Sequence, residues 1–303
     1  MKILRYLFII IALGFMLSLL YQQSAQILQL DLKLSIPFML LGIIGITVLF
    51  ILDAYGWLLI LRVLGHHPPV LRAIRIWMIS SIARYIPGGI WSYASRAELA
   101  RRENIGIATS SLSLLLETAM LASSSLVIGL PALLQASGLQ FGLWHALGMF
   151  FFLGLCMHPK MLTMLRFMPG RVGKAFANVA LPSLGHIFTI YCYYVLFWCL
   201  FGLAFVVFSN MIFPLDYEIW LPVGSSLALG FFAGFIILFV PGGIGVRETT
   251  LYFLLVPHMP DAQALLLAIT SRLWIMCGEL LSLVLIETLF RITDKTKTVH
   301  PAL

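Results

Sequence analysis

The sequence predicts an all-α integral membrane protein with about six full transmembrane helices and two re-entrant Pro-Gly-Gly hairpins in an inverted-topology repeat. Three features lead there. Apolar stretches near 20 residues recur from end to end, the charged residues are few and one-sided, and the phrase Pro-Gly-Gly-Ile occurs at 87–90 and again at 241–244. Of the 303 residues 61% are hydrophobic and 10% charged, with a mean hydropathy of +1.02. Soluble domains carry about 25% charged residues, so little of this chain can form a soluble domain. Stretches of that length read as helical spans, because a β-barrel shows only weak alternation over about ten residues.

Taken in order, residues 3–20 form a first span, preceded by Lys2 and Arg5 and lacking a small-residue cleavage site. They read as a retained helix and not as a signal peptide. A polar linker at 21–35 leads to a second span at 37–64, which carries Asp53 in its interior. Arg62, Arg72 and Arg75 make the next loop basic. The first Pro-Gly-Gly unit has arms at 73–86 and 91–102, neither of which reaches 20 apolar residues. A third span is expected at 105–130 with Glu117 inside it, followed by an uncharged loop at 131–138. Spans follow at 139–157 and 181–208, separated by a basic loop at 158–174. The loop at 209–219 holds Asp216 and Glu218 without Lys or Arg. The second Pro-Gly-Gly unit has arms at 221–240 and 246–256, and a last span at 264–290 contains Arg272 and Glu279.

Charge bias orients these elements. Cytoplasmic loops are enriched in Lys and Arg. With both termini in the cytoplasm, 15 of the 19 Lys and Arg fall on that side. This requires each Pro-Gly-Gly unit to enter and leave the membrane on one face, the first from inside and the second from outside. Residues 1–138 then form one membrane repeat with its hairpin near 73–102, and residues 139–303 form an inverted one with its hairpin near 221–256. Inverted repeats with broken helices are a transporter plan in which the site lies between the repeats. Irregular backbone at membrane depth needs protein or water over it, so the two hairpins are expected to face each other around a cavity.

Ionisable groups inside a membrane are expensive and are functional candidates by default. The set comprises Arg84, Arg96, Glu98, Glu117, Arg247, Glu248, Arg272 and Glu279, with Gly88, Gly89, Gly242 and Gly243 at the two breaks. Arg247 follows a helix break, where free backbone N–H groups and a guanidinium together suit a phosphate or carboxylate. The glutamates are expected to orient the arginines or to meet a cationic group. Asp53 is a weaker candidate, which a neighbouring Tyr or Trp could satisfy. Trp91 and Tyr93 lie beside the first break and are expected near a ligand. The four cysteines lie in apolar stretches without metal-type spacing and read as buried apolar filler. The net charge of +7 sits in short loops between spans, a pattern that fits anionic lipid headgroups and not nucleic acid. The chain lacks the metal-binding Asp-x-Asp and His-Glu-x-x-His, the Gly-x-Ser-x-Gly and the P-loop. Neither metal, cofactor nor nucleotide is therefore expected. Asp31, in the first loop, is the acid that a lipid-linked glycosyltransferase would use.

The string Pro241-Gly242-Gly243-Ile244-Gly245-Val246-Arg247-Glu248 resembles the lysylphosphatidylglycerol synthase transmembrane-region family. Pro87-Gly88-Gly89-Ile90-Trp91 with Arg96-Ala97-Glu98-Leu99-Ala100-Arg101-Arg102 is similar to its upstream motif. In that family a multi-span module moves an aminoacylated phospholipid between leaflets, and a separate soluble domain performs the aminoacyl transfer. For this chain the resemblance implies the translocase part without the aminoacyltransferase. The expectation is a flippase-like transporter of the bacterial inner membrane. Its cargo would be an anionic or aminoacylated phospholipid, or a polyprenyl-phosphate-linked lipid. Self-association or a partner lipid-modifying enzyme would fit such a role. The competing expectation is an integral-membrane transferase acting on a lipid-linked sugar or aminoacyl group, with Asp31 or Glu248 as base.

Overall fold

The computed structural model describes residue 21 and residues 36–85, 90–135, 140–236 and 243–299. The expected first span at 3–20 lies outside these residues, as do Asp31, Gly88, Gly89 and Gly242.

The described residues are helical, with no strand among them. The long helices are α1 (Ile36–Val63), α4 (Ile107–Gln135), α5 (Gln140–Met157), α8 (Leu184–Ile212), α9 (Trp220–Ile236) and α11 (Asp261–Val299). Shorter ones are α2 (Val70–Ile82), α3 (Trp91–Arg102), α6 (Pro159–Met164), α7 (Arg171–Phe176) and α10 (Val246–Leu255). Among the described residues five helices are long and apolar enough to cross a membrane, and a sixth span arises if the bent pair Leu147–Met157 and Pro159–Phe167 counts as one. This is a multi-pass helical membrane protein. The 56° bend falls at His158. Its cause is Pro159 at the first position of α6, which cannot continue the ladder of the preceding helix.

At 1.5 Å per residue, the 13 residues of α2, the 12 of α3 and the 10 of α10 reach only about 15–20 Å, short of a hydrocarbon core of about 30 Å. The second unit is asymmetric. Its first arm, with the preceding turn, is a 20-residue apolar stretch, Tyr217–Ile236, long enough to span by itself. Within each unit the two arms pack on each other.

The expected uncharged loop at 131–138 is partly helix, because α4 runs through Pro131 to Gln135. Proline removes one backbone bond, and membrane helices tolerate this where neighbours cover the gap. Here α9 lies very close. A Cβ on Gly129 would sit 2.9 Å from that of Leu229.

Two devices hold the bundle together where burial of apolar surface alone cannot, because lipid is as apolar as leucine. The first is close backbone approach at glycine. Gly202 of α8 lies against Gly224 of α9, and Gly278 of α11 against Ile46 of α1. The second is an indole or phenol hydrogen-bonded to a neighbouring helix. Trp274 donates to the Gly42 carbonyl at 2.9 Å, Trp198 to Leu121 at 3.1 Å, Tyr193 to Leu52 at 2.6 Å and Trp57 to Ser113 Oγ at 3.0 Å. Each of these buries an aromatic body and satisfies its polar tip.

The cysteines depart from expectation. Cys192, Cys199 and Cys277 are exposed on the outside of the bundle, and Cys156 is half-covered. A spanning helix has two apolar surroundings, protein and lipid, and hydropathy alone does not separate them.

Candidate functional site

Helices α1, α3, α4, α10 and α11 and the turn after α2 meet at one point through their ionisable residues. Four acids and four arginines converge there. Arg96 of α3 pairs with Glu117 of α4 at 2.5 Å, both well buried. Arg84, in the 3-10 turn Ala83–Tyr85 that ends the first arm, pairs with Glu279 of α11 at 3.4 Å. Arg272 of α11 lies 3.8 Å from Glu248 of α10. Asp53 of α1 and Arg247 of α10 remain, and neither forms an ion pair among the described residues. Asp53 Oδ1 and Arg247 Nε are both buried without a hydrogen-bond partner there.

Further bonds fix the three pairs. Glu117 accepts from the Trp77 indole at 2.5 Å, and Arg96 donates to Ser80 Oγ at 2.9 Å. The Arg96 guanidinium also lies over the rings of Trp57 and Trp77. Tyr85 donates its hydroxyl to Glu279 at 2.6 Å, and Arg84 donates to the Ser81 carbonyl. Glu248 Oε2 accepts the Gly245 N–H at 2.6 Å. The open N–H groups expected to await a ligand at the start of α10 are therefore partly taken by the protein's own carboxylate.

The cation at this break is held by packing. Gly243 and Gly245 have φ values of +66° and +83°, a region that suits glycine and turns the chain sharply into α10. Gly230 and Gly234 of α9, one helical turn apart, form a smooth strip beneath this turn. A Cβ on Gly234 would meet Arg247 Cγ at 2.5 Å, and one on Gly243 would meet Gly234 Cα at 3.0 Å. Arg247 is thus laid along α9 with its guanidinium 4.2 Å from the Phe231 ring centre. The Gly230-x-x-x-Gly234 spacing of a close helix contact was the available sequence signal for this arrangement.

A cavity of about 190 Å³ lies among these groups, lined by Arg84, Tyr85, Ser92, Tyr93, Arg247 and Glu279 with others. Across Asp53, Arg84, Arg247 and Arg272, which line both, it adjoins a chamber of about 60 Å³ walled by aromatic side chains such as Phe197, Trp198, Phe201 and Phe231. Residues from both Pro-Gly-Gly units thus line one space.

Of the sequence candidates, the structure brings together Arg84, Arg96, Glu117, Gly243, Arg247, Glu248, Arg272 and Glu279. Glu98 lies apart, on the exposed face of α3, bound to Arg101 at 2.8 Å and to Arg102 at 3.4 Å. Hydrogen bonds from Arg101, then Arg102, hold its carboxyl down to about 2, so it stays ionised as a surface pair. Tyr93 lines the cavity, whereas Trp91 is half exposed and does not. Asp53 is more central than its sequence position alone indicated. Tyr85, Ser92 and Phe231 gave no separable signal, since polar and aromatic side chains abound near the membrane ends of helices.

The bundle and its ion-lined interior define a polytopic helical membrane protein with two adjoining amphipathic chambers. The chain belongs to the lysylphosphatidylglycerol synthase TM region family, which it matches over residues 3–277. No curated protein matches the chain. Family membership and the apolar helices together give it a membrane-embedded, lipid-related role.

Proposed function

We propose that the protein is a flippase-like translocase that moves a lipid with an anionic or aminoacylated headgroup between leaflets. The cargo would be a phospholipid or a polyprenyl-phosphate-linked lipid. The observation that carries this reading is the adjoining pair of chambers. Arginines and carboxylates line both, aromatic side chains wall much of the smaller one, and Arg247 belongs to the lining of each. A phosphate meets Arg247, with Arg84 and Arg272 beside it, as a charge-assisted contact in a site of low dielectric. The start of the lipid tail enters the aromatic chamber.

In this reading the two Pro-Gly-Gly units are re-entrant hairpins of opposite entry, related by an inverted repeat, and act as gates on either side of the cavity. Both termini lie in the cytoplasm of a bacterial cell, in the inner membrane, as the distribution of Lys and Arg favours. Glu248, a candidate base for a transferase, is committed to the Gly245 N–H and to Arg272. A carboxylate held by two donors is a weaker proton acceptor, which disfavours Glu248 as that base.

The test is a headgroup-accessibility assay on protein reconstituted into vesicles with an anionic fluorescent phospholipid. Wild type is expected to exchange it between leaflets, with Arg247→Ala slowed at least tenfold and the lipid recovered chemically unchanged. Absence of exchange by wild type, or equal exchange by Arg247→Ala, overturns the proposal.

A further inference from the structure

Four acids and four arginines meet at the two chambers, and three ion pairs account for six of them. The two left over differ in consequence. Arg247 is the natural seat for an anionic ligand. Asp53 is an acid in the same space, near the middle of the spanning helix α1, with one carboxyl oxygen buried and without a hydrogen-bond donor among the described residues. An anion that docks on Arg247 therefore arrives beside a carboxylate. Two negative charges sharing a poorly solvated site cannot both persist unless one of them takes a proton.

The charged groups that face Asp53 are already committed to one another. From α4 and α11 it meets Glu117 and Glu279, both acidic, while Arg84 and Arg96 come from the first hairpin unit. Arg84 and Arg96 already hold Glu279 and Glu117. From α8 it meets Tyr193 and Tyr194. The Tyr193 hydroxyl is spent on the Leu52 carbonyl, and the Tyr194 hydroxyl is buried without a hydrogen-bond partner among the described residues. Arg272 lines the same cavity from α11 and is bound to Glu248. Asp53 and Arg247 line the same two chambers without pairing, so an anion that docks on Arg247 brings its charge into the space that holds the Asp53 carboxyl.

We propose that Asp53 is the proton-accepting residue of the cavity, so that each anion bound at Arg247 is accompanied by one proton on the Asp53 carboxyl. This rests on the reading of the cavity as an anion site. The step is a simple association: bulk water supplies the proton, Asp53 becomes neutral, and no bond of the ligand is made or broken. The linkage gives a translocase whose sequence lacks a P-loop a source of direction, because cargo enters with a proton and leaves as the proton leaves. The bound anion raises the proton affinity of Asp53. Anion binding is consequently full below the pH at which Asp53 ionises in the empty protein, and weakens as the pH rises above it, by up to tenfold per unit.

Calorimetric titration of the purified full chain tests this in pairs of buffers with different ionisation enthalpies, across about pH 6 to 9. Two probes are used, sulfate and phosphatidylglycerol in mixed micelles, because both keep a fixed charge through that range. The expected result is proton uptake that climbs toward one per anion as the pH rises, with affinity falling in step. In Asp53→Asn, affinity becomes independent of pH and uptake vanishes. Binding of the lipid but not of sulfate assigns the effect to a headgroup, and binding of both assigns it to the oxyanion alone; either, with proton uptake, supports the inference. Anion binding without uptake at any pH, or uptake unchanged in Asp53→Asn, overturns it while leaving the anion site intact. The wild-type measurement stands even if the variant is unstable. No binding of either probe overturns the anion site and this inference together.

Discussion

Arg96 and Glu117 form a buried ion pair, 2.5 Å between Nη1 and Oε2, that joins the short helix after the first break to the long span α4. With both partners almost fully buried, and the indole of Trp77 on the other carboxylate oxygen, this pair fixes the far arm of the unit against the bundle. Removing one partner of a buried pair strands the other charge. Glu117→Ala is expected to destabilise the protein by about 3–5 kcal/mol. Glu98→Ala, on the exposed face of the same short helix, is expected to leave stability unchanged. Thermal unfolding in one detergent compares them directly, and equal melting temperatures would contradict the assignment.

Gly234 sets the position of Arg247. A methyl group there meets Arg247 Cγ at 2.5 Å, and the arginine cannot back away without moving the start of α10. Gly234→Ala is expected to cost about 1–3 kcal/mol of stability and to slow leaflet exchange. Gly148→Ala, in α5 with nothing within 4 Å, is the control. It is expected to stabilise by about 0.5–1 kcal/mol through helix propensity and to leave exchange unchanged. Unfolding and exchange rates of the two variants check this.

The two functions of Glu248 are separable. Glu248→Gln keeps an acceptor for the Gly245 N–H but removes the negative charge beside Arg272, whereas Glu248→Ala loses both. The alanine variant is expected to melt lower than the glutamine one, since loss of a helix cap costs about 0.5–2 kcal/mol. Both are expected to impair exchange, because Arg272 loses its counter-charge. Identical melting curves would show that the capping contact contributes nothing.

Topology follows from single-cysteine labelling with a membrane-impermeant reagent, after replacement of the four native cysteines by serine or alanine. Sites in residues 62–75 and 158–174 are expected to label from one side, and sites in 209–219 from the other. Labelling of all three regions from a common side would remove the opposed entry of the two Pro-Gly-Gly units.

Much of the site was legible because burying a charge in a membrane is so costly that its presence already signals a partner. Arg84, Glu117, Arg247, Glu248, Arg272 and Glu279 stood out for that reason, and all of them meet. Which acid binds which arginine was not legible. Arg272 and Glu279, seven residues apart on one helix face, pair with different helices, Glu248 on α10 and Arg84 before the first break. Arg96 and Glu98, two residues apart, point to opposite sides of α3, so one joins the core and the other the surface.

The sequence by itself determined the helical membrane class and the short arms of the first unit, since hydropathy, charge and Pro-Gly-Gly act locally along the chain. Helix α3 begins and ends at residues 91 and 102, where its sequence said it would. Tertiary structure decided that Asp53 and Arg247 remain after three ion pairs have formed. That outcome depends on how five helices meet in space, and on glycines at 230, 234 and 243 that let one backbone approach another. Neither is encoded in any single stretch.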